Sequence, residues 1–156
     1  MTATRPFSPE LVLAADMSLL VAQSLLDEVQ SQGEARGVRL AAAVVDRGGN
    51  TVAFMRMDGA QLGAGSLALD KAVTAVSFGH PTRAWLSTSA PGGSDWGLAH
   101  TLGGRAIVFP GGLPVFAPGA LVGGIGVSGT ASEVDEACAE AAVVAQNLTS
   151  SPTPAS

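Results

Sequence analysis

The chain contains no tyrosine, one lysine, one cysteine and two histidines in 156 residues. A single cysteine, Cys138, excludes an internal disulfide and is too little for a structural zinc centre built on thiolates. Set in an apolar helical pattern, it reads as a packing residue. Basic residues are also scarce: Lys and Arg number 8 against 13 Asp and Glu, for a formal net charge of -5. No basic stripe is available to neutralise phosphates, which excludes nucleic acid as a partner and disfavours an anionic membrane surface. His80 and His100 lie too far apart in sequence for a local metal motif, so no metal site is expected. Aromatic residues make up only 4% of the chain, a thin lining for a large flat ligand. No signal-type apolar run with a small-residue cleavage site follows Arg5, and the apolar stretch 11–28 is interrupted by Asp16 and too short for a membrane span. A cytoplasmic protein is expected.

What the chain does have is 47% hydrophobic residues, enough for one packed domain at this length. Ser8-Pro9-Glu10 is a helix start, and Val12, Ala15, Leu19, Ala22, Leu26 and Val29 recur with helical spacing to about Gly33. Segments 38–46 and 51–57 have strand character and are joined by Arg47-Gly48-Gly49-Asn50, a hairpin turn. Segment 66–80 is apolar nearly all round and predicts a buried helix, with Ser66 as cap and His80-Pro81 as its end. Thr82 then caps a short helix, and 87–104 forms a long loop. Three short strands follow, at 105–109, 113–116 and 120–128, separated by Pro-Gly turns. A last helix opens on a capping box, either Thr130 to Glu133 or Ser132 to Asp135. The order α-β-β-α-α-β-β-β-α predicts an α+β domain with a five-stranded antiparallel sheet flanked by helices. It should span 8–148, between a flexible start at 1–7 and a disordered tail at 149–156.

Residues 124–129 read Gly-Ile-Gly-Val-Ser-Gly, the spacing of a dinucleotide-binding loop. That function needs a parallel crossover and an acid about twenty residues further on. Here the helix after the glycines is the last element and the stretch 144–149 has no acid, so NAD is not expected. Gly124 and Gly126 instead favour close approach by a helix, a second subunit or a ligand.

Several residues could carry chemistry. Lys71, the only lysine, sits on the helix predicted to be buried, where burial lowers an amine's pKa and produces a base or a nucleophile; the plainer role is a salt bridge to Asp70, Asp46 or Asp58. Arg56 and Asp58 share one side of a strand, so Arg56 is either paired internally or a clamp for a carboxylate. Asp46 at the hairpin entry caps the turn or serves as an acid. His80 closes a helix or contacts a ligand, while His100 and Trp96 lie on the long loop, a candidate lid.

The stretches 41–60, 69–82, 108–115 and 121–142 carry D-x-G-G, R-M-D, F-P-G-G-x-P and G-x-I-G-V-S-G patterns, and in combination they resemble the GlcG/HbpS-like family, also called haem-degrading or PduO C-terminal-like. The resemblance covers about 8–148. It implies a profilin-like antiparallel sheet flanked by helices, assembly into dimers or larger homo-oligomers, and a lysine at the position of Lys71. It implies no single activity, since members bind or degrade haem, bind corrinoids or accompany metabolic enzymes. The leading expectation is a small-molecule-binding protein for haem or another tetrapyrrole, with His80 or His100 as axial contacts. The alternatives are a cofactor-independent isomerase, lyase or hydrolase acting on a small anionic metabolite, in which Lys71 or His100 moves a proton and Arg56 holds the anion, and an accessory or scaffold subunit.

Overall fold

A computed structural model describes residues 11–152. Helix α1 (Leu19–Arg36) starts at Ser18, whose hydroxyl accepts the Val21 amide at 3.2 Å, and stops at Gly37 in the left-handed conformation, φ 67°. The cap expected at Ser8 falls outside the described residues, and the helix begins later than the spacing predicts. Val12 and Ala15 are exposed ahead of it. The cause is tertiary: the Asp16 carboxylate accepts the amides of Met17 and Arg47, each at 2.9 Å, and ties this stretch across a hairpin turn.

That hairpin joins β1 (Ala41–Asp46) to β2 (Thr51–Arg56). Helix α2 (Ala64–Phe78) follows, capped by Gly63 with no side-chain bond instead of by Ser66, and ends at Gly79. Thr82 opens a 3-10 turn, Thr82–Trp85, but does not cap it. Residues 87–104 are a succession of hydrogen-bonded turns that includes 3-10 turns at Leu98–His100 and Leu102–Gly104. Strands β3 (Gly112–Ala117) and β4 (Ala120–Ser128) and helix α3 (Ser132–Ala145) complete the chain.

Among the described residues the sheet has four strands in the order β2-β1-β4-β3, all antiparallel, and not five. Residues 105–109 look like a strand in sequence, but side chains take the backbone groups a ladder would use. The Thr74 hydroxyl accepts the Ile107 amide at 3.0 Å, and the Thr82 hydroxyl donates to the Phe109 carbonyl at 2.7 Å while accepting the Gly112 amide at 3.0 Å. The outer edge of β3 is partly closed, because Phe116 and Thr149 exchange bonds of 2.8 and 3.1 Å. Thr149, read from sequence as the first residue of a tail, is thus tied to the sheet.

Helix α2 covers one face of the sheet and α1 and α3 the other. Ala42, Val44, Ile125 and Val127 face the α1–α3 side with Leu25, Val29 and Val143, and Ala41, Ala43 and Val45 face α2. The glycine-rich part of β4 explains how closely α2 lies. A Cβ on Gly126 would stand 1.9 Å from the Ala68 carbonyl oxygen, and one on Gly124 would stand 2.6 Å from that of Ala72. The helix backbone rests directly on these two positions.

Candidate functional site

Lys71 points inward from α2 and is 1% exposed. Its Nζ donates to the Val127 carbonyl at 2.8 Å and to Asp135 Oδ2 at 3.2 Å, and sits 5.3 Å from the centre of the Phe109 ring. Gly111, with φ 124°, closes over the amine, since a Cβ there would lie 2.5 Å from Nζ. The sequence suggested Asp70, Asp46 or Asp58 as the acid partner. The partner is Asp135, while Asp70 binds Arg105 at 2.7 Å, Asp46 holds the hairpin and Asp58 is exposed. Burial pushes the Lys71 pKa below its usual value and the Asp135 pKa above its own, and in each case the partner's charge opposes the shift. The other oxygen of Asp135, Oδ1, accepts the Thr130 amide at 3.0 Å, in place of the capping box expected there. The helix cap itself is Ala131, which makes no side-chain bond.

Beside this pair, Glu136 takes Arg83 Nη1 on Oε1 at 3.1 Å, and its Oε2 is buried without a hydrogen-bond partner. Burial raises the Glu136 pKa against the opposing pull of Arg83 and the Gly111 amide. The four charges are two of each sign. Neither histidine is among the groups that touch the Lys71 amine.

The other expected site residues are dispersed. Asp46 clasps its own turn, accepting the amides of Gly48 and Asn50, each at 2.9 Å, and the Asn50 amide lowers its pKa the most. His80 lies 4.6 Å from the Trp85 ring and 6.4 Å from Phe78, with Nδ1 3.3 Å from the Pro81 carbonyl oxygen. His100 is exposed, and Trp96, on the same loop, is 64% exposed. The α2 backbone fills the space above Gly124 and Gly126.

Arg56, by contrast, borders open volume. A groove of about 510 Å³ between β2 and the start of α2 is lined by Phe54, Arg56, Leu62, Gly65, Ser66 and Leu69. Phe54 is 50% and Leu62 85% exposed, and the Phe54 ring edge comes within 3.2 Å of where a Gly65 Cβ would stand. Arg56 also rims a smaller, polar cavity of about 280 Å³ on the α1 side, with Glu34, Arg39 and Asp58. No ion pair between Arg56 and Asp58 forms among the described residues. A third cavity, about 160 Å³, lies between Met17, Val21, Ala117, Val122 and Leu148. Sequence reasoning passed over Phe54, Leu62 and Leu69. The signal for the first of them was that Phe54 and Arg56 are two apart on one strand and so face the same way.

Among the described residues no group of three or more His, Cys, Asp or Glu could hold a metal ion, and no helix is long and apolar enough to cross a membrane.

The chain has clear relatives. It is 36% identical over 129 residues to an uncharacterised 15.0 kDa protein of the dhaT-dhaS intergenic region of Citrobacter freundii, covering 83% of this chain and 91% of that protein. It is 36% identical over 106 residues to the corrinoid adenosyltransferase PduO of the same organism, which is 68% of this chain but 32% of the transferase. The chain thus spans about a third of that enzyme. Among solved structures, Klebsiella pneumoniae ORFY superposes with a TM-score of 0.85 at 34% identity, covering 88% of this chain and 95% of that one. A PduOC:haem complex matches with a TM-score of 0.84 at 29% identity, covering 88% and 99%. HbpS matches with a TM-score of 0.79 at 33% identity, covering 90% and 97%. The family model for haem degrading protein HbpS-like matches residues 17–144. With that match across most of its length, the chain belongs to the HbpS-like family.

Proposed function

We propose that this protein binds haem or another tetrapyrrole, and that the groove between β2 and α2 holds it. The observation that carries the reading is an apolar groove with one guanidinium at its rim: Phe54, Leu62 and Leu69 suit the flat macrocycle, and Arg56 suits a ring carboxylate. Its volume of about 510 Å³ lies within the usual size of ligand pockets, roughly 300–1,000 Å³. Family membership and the haem complex of the PduOC relative support the ligand class. Lys71, locked onto Val127 and Asp135, serves the fold in this reading.

None of the six lining residues is a histidine, cysteine or tyrosine. The groove therefore contributes ring and carboxylate contacts and leaves the metal's axial positions to other groups. Hemin and metal-free protoporphyrin IX should accordingly bind with dissociation constants within a few fold of each other, read by Soret absorbance and porphyrin fluorescence. Arg56→Glu should weaken both by at least about tenfold, the equivalent of losing one charge-assisted hydrogen bond. Binding of hemin alone, with no protoporphyrin binding, would show that iron ligation carries the affinity and would overturn the groove as the site.

A further inference from the structure

The two edges of the sheet are treated differently. On β3, Pro114 offers no amide and Phe116 is already bonded to Thr149. On β2 no strand pairs with the outer edge among the described residues, and the strand reads Thr-Val-Ala-Phe-Met-Arg, free of proline and rich in residues that favour strands. The register fixes what that edge offers. The Met57 amide donates to Leu40 at 2.9 Å, so by antiparallel alternation Met55 and Ala53 also bond inward to β1. The backbone N–H and C=O of Phe54 and Arg56 therefore point outward. Below them, the irregularity at Val44/Val45 disturbs the ladder, so the regular part of the edge is centred on Met55.

We infer that β2 is a self-association edge: two copies pair antiparallel through it, about a two-fold axis at Met55, and each supplies Arg56 to the other's groove. On the regular part of the edge Phe54 and Arg56 carry the outward backbone groups, so they must pair with each other or with themselves. An axis at Met55 sets Phe54 opposite Arg56 of the partner subunit, twice. No like charges face one another, and each guanidinium meets an aromatic ring. A parallel arrangement would instead bring the two Arg56 side chains together. The pairing uses the same edge of both copies, and Pro114 and the Phe116–Thr149 bonds obstruct the outer edge of β3, so growth stops at a closed pair and does not continue as an open fibre.

Phe54 and Arg56 also line the groove on the α2 face. Pairing brings the two grooves together across the axis, with α2 of both copies on the same face of the joined sheet. The shared cleft then presents two aromatic rings and two guanidiniums, complementary to a flat dicarboxylate. This last feature rests on the tetrapyrrole reading, whereas the pairing itself does not.

The test is made without ligand. In an antiparallel pair that is not hydrogen-bonded, facing Cα atoms are about 4.5 Å apart, which a disulfide spans. Chains carrying Met55→Cys should oxidise to a covalent dimer while Thr51→Cys chains do not; the native Cys138 is buried and does not compete. In sedimentation, Met55→Lys and Met55→Glu should each weaken self-association at least tenfold, and an equimolar mixture should restore it through the opposite charges at the axis. Folded Met55→Cys protein that stays uncrosslinked, or Lys and Glu variants that associate like the parent, would overturn the interface. Hemin binding by such a protein would leave the ligand reading standing without it.

Discussion

Replacing Lys71 with methionine keeps a stem of similar length and deletes the charge. Asp135, whose side chain is 2% exposed, would then lose its cation and keep the Thr130 amide, at 3.0 Å, as its side-chain hydrogen-bond donor. The Val127 carbonyl would lose its 2.8 Å donor at the same time. Breaking one side of a buried pair costs about 3–5 kcal/mol, a large share of the roughly 5–15 kcal/mol that holds a domain together. The loss has a pH signature. Burial already holds the Asp135 pKa above the ordinary carboxylate value, and removing Lys71 removes the main force opposing that rise. A carboxyl with a raised folded-state pKa costs nothing extra below its unfolded pKa, and it destabilises progressively as pH climbs from there to the folded one. The deficit of Lys71→Met should therefore be small in acid and full at neutral pH. Combining it with Asp135→Asn, which keeps an oxygen for the Thr130 amide, should recover most of the loss, because neither charge is then stranded. Urea unfolding of the parent, both single variants and the double variant, with midpoints and slopes compared, gives the coupling energy directly. A Lys71→Met midpoint equal to the parent's, or a double variant no better than the single, refutes this role for the amine.

Two further outcomes follow from the same geometry. Gly126→Ala puts a methyl 1.9 Å from a helix carbonyl oxygen that cannot yield, and should prevent folding or cost several times the usual roughly 1 kcal/mol of a point substitution, whereas Gly63→Ala, with open space and φ -73°, should be neutral or slightly stabilising by thermal melts. Asp46, with its pKa lowered chiefly by the Asn50 amide, contributes stability above the ordinary carboxylate range that is lost as pH falls through its folded value, so Asp46→Ala should flatten the acid limb of the stability profile.

Much of the architecture was legible because it depends on local pattern. The hairpin at 46–51, the buried helix around Lys71 and the last helix are all written in spacing and turn residues. The failures share one cause, a contact from far along the chain. Residues 105–109 read like a strand in sequence, but Thr74 takes the Ile107 amide and Thr82 the Phe109 carbonyl. The start of α1 is displaced by Asp16 reaching Arg47. Periodicity reports an extended or helical conformation and says nothing about which partner satisfies it. At the site, the burial of Lys71 could be read from its apolar neighbours, but Asp135 stands 64 residues away and no local rule connects them. The glycines of β4 announced a close approach, and only the folded chain identifies α2 as what approaches. Phe54 and Arg56 share a strand face by simple alternation, while Leu62 and Leu69, the opposite wall, arrive from the next turn and helix.

The groove claim is tested most directly by hemin titrations of three proteins: the parent, Arg56→Glu, and the double variant His80→Ala/His100→Ala. Arg56→Glu should bind hemin at least about tenfold more weakly, and the dissociation constant should be unchanged when both histidines are gone. Unchanged binding by Arg56→Glu, together with loss of the Soret shift in the histidine double variant, would contradict the groove claim and move the ligand to an imidazole.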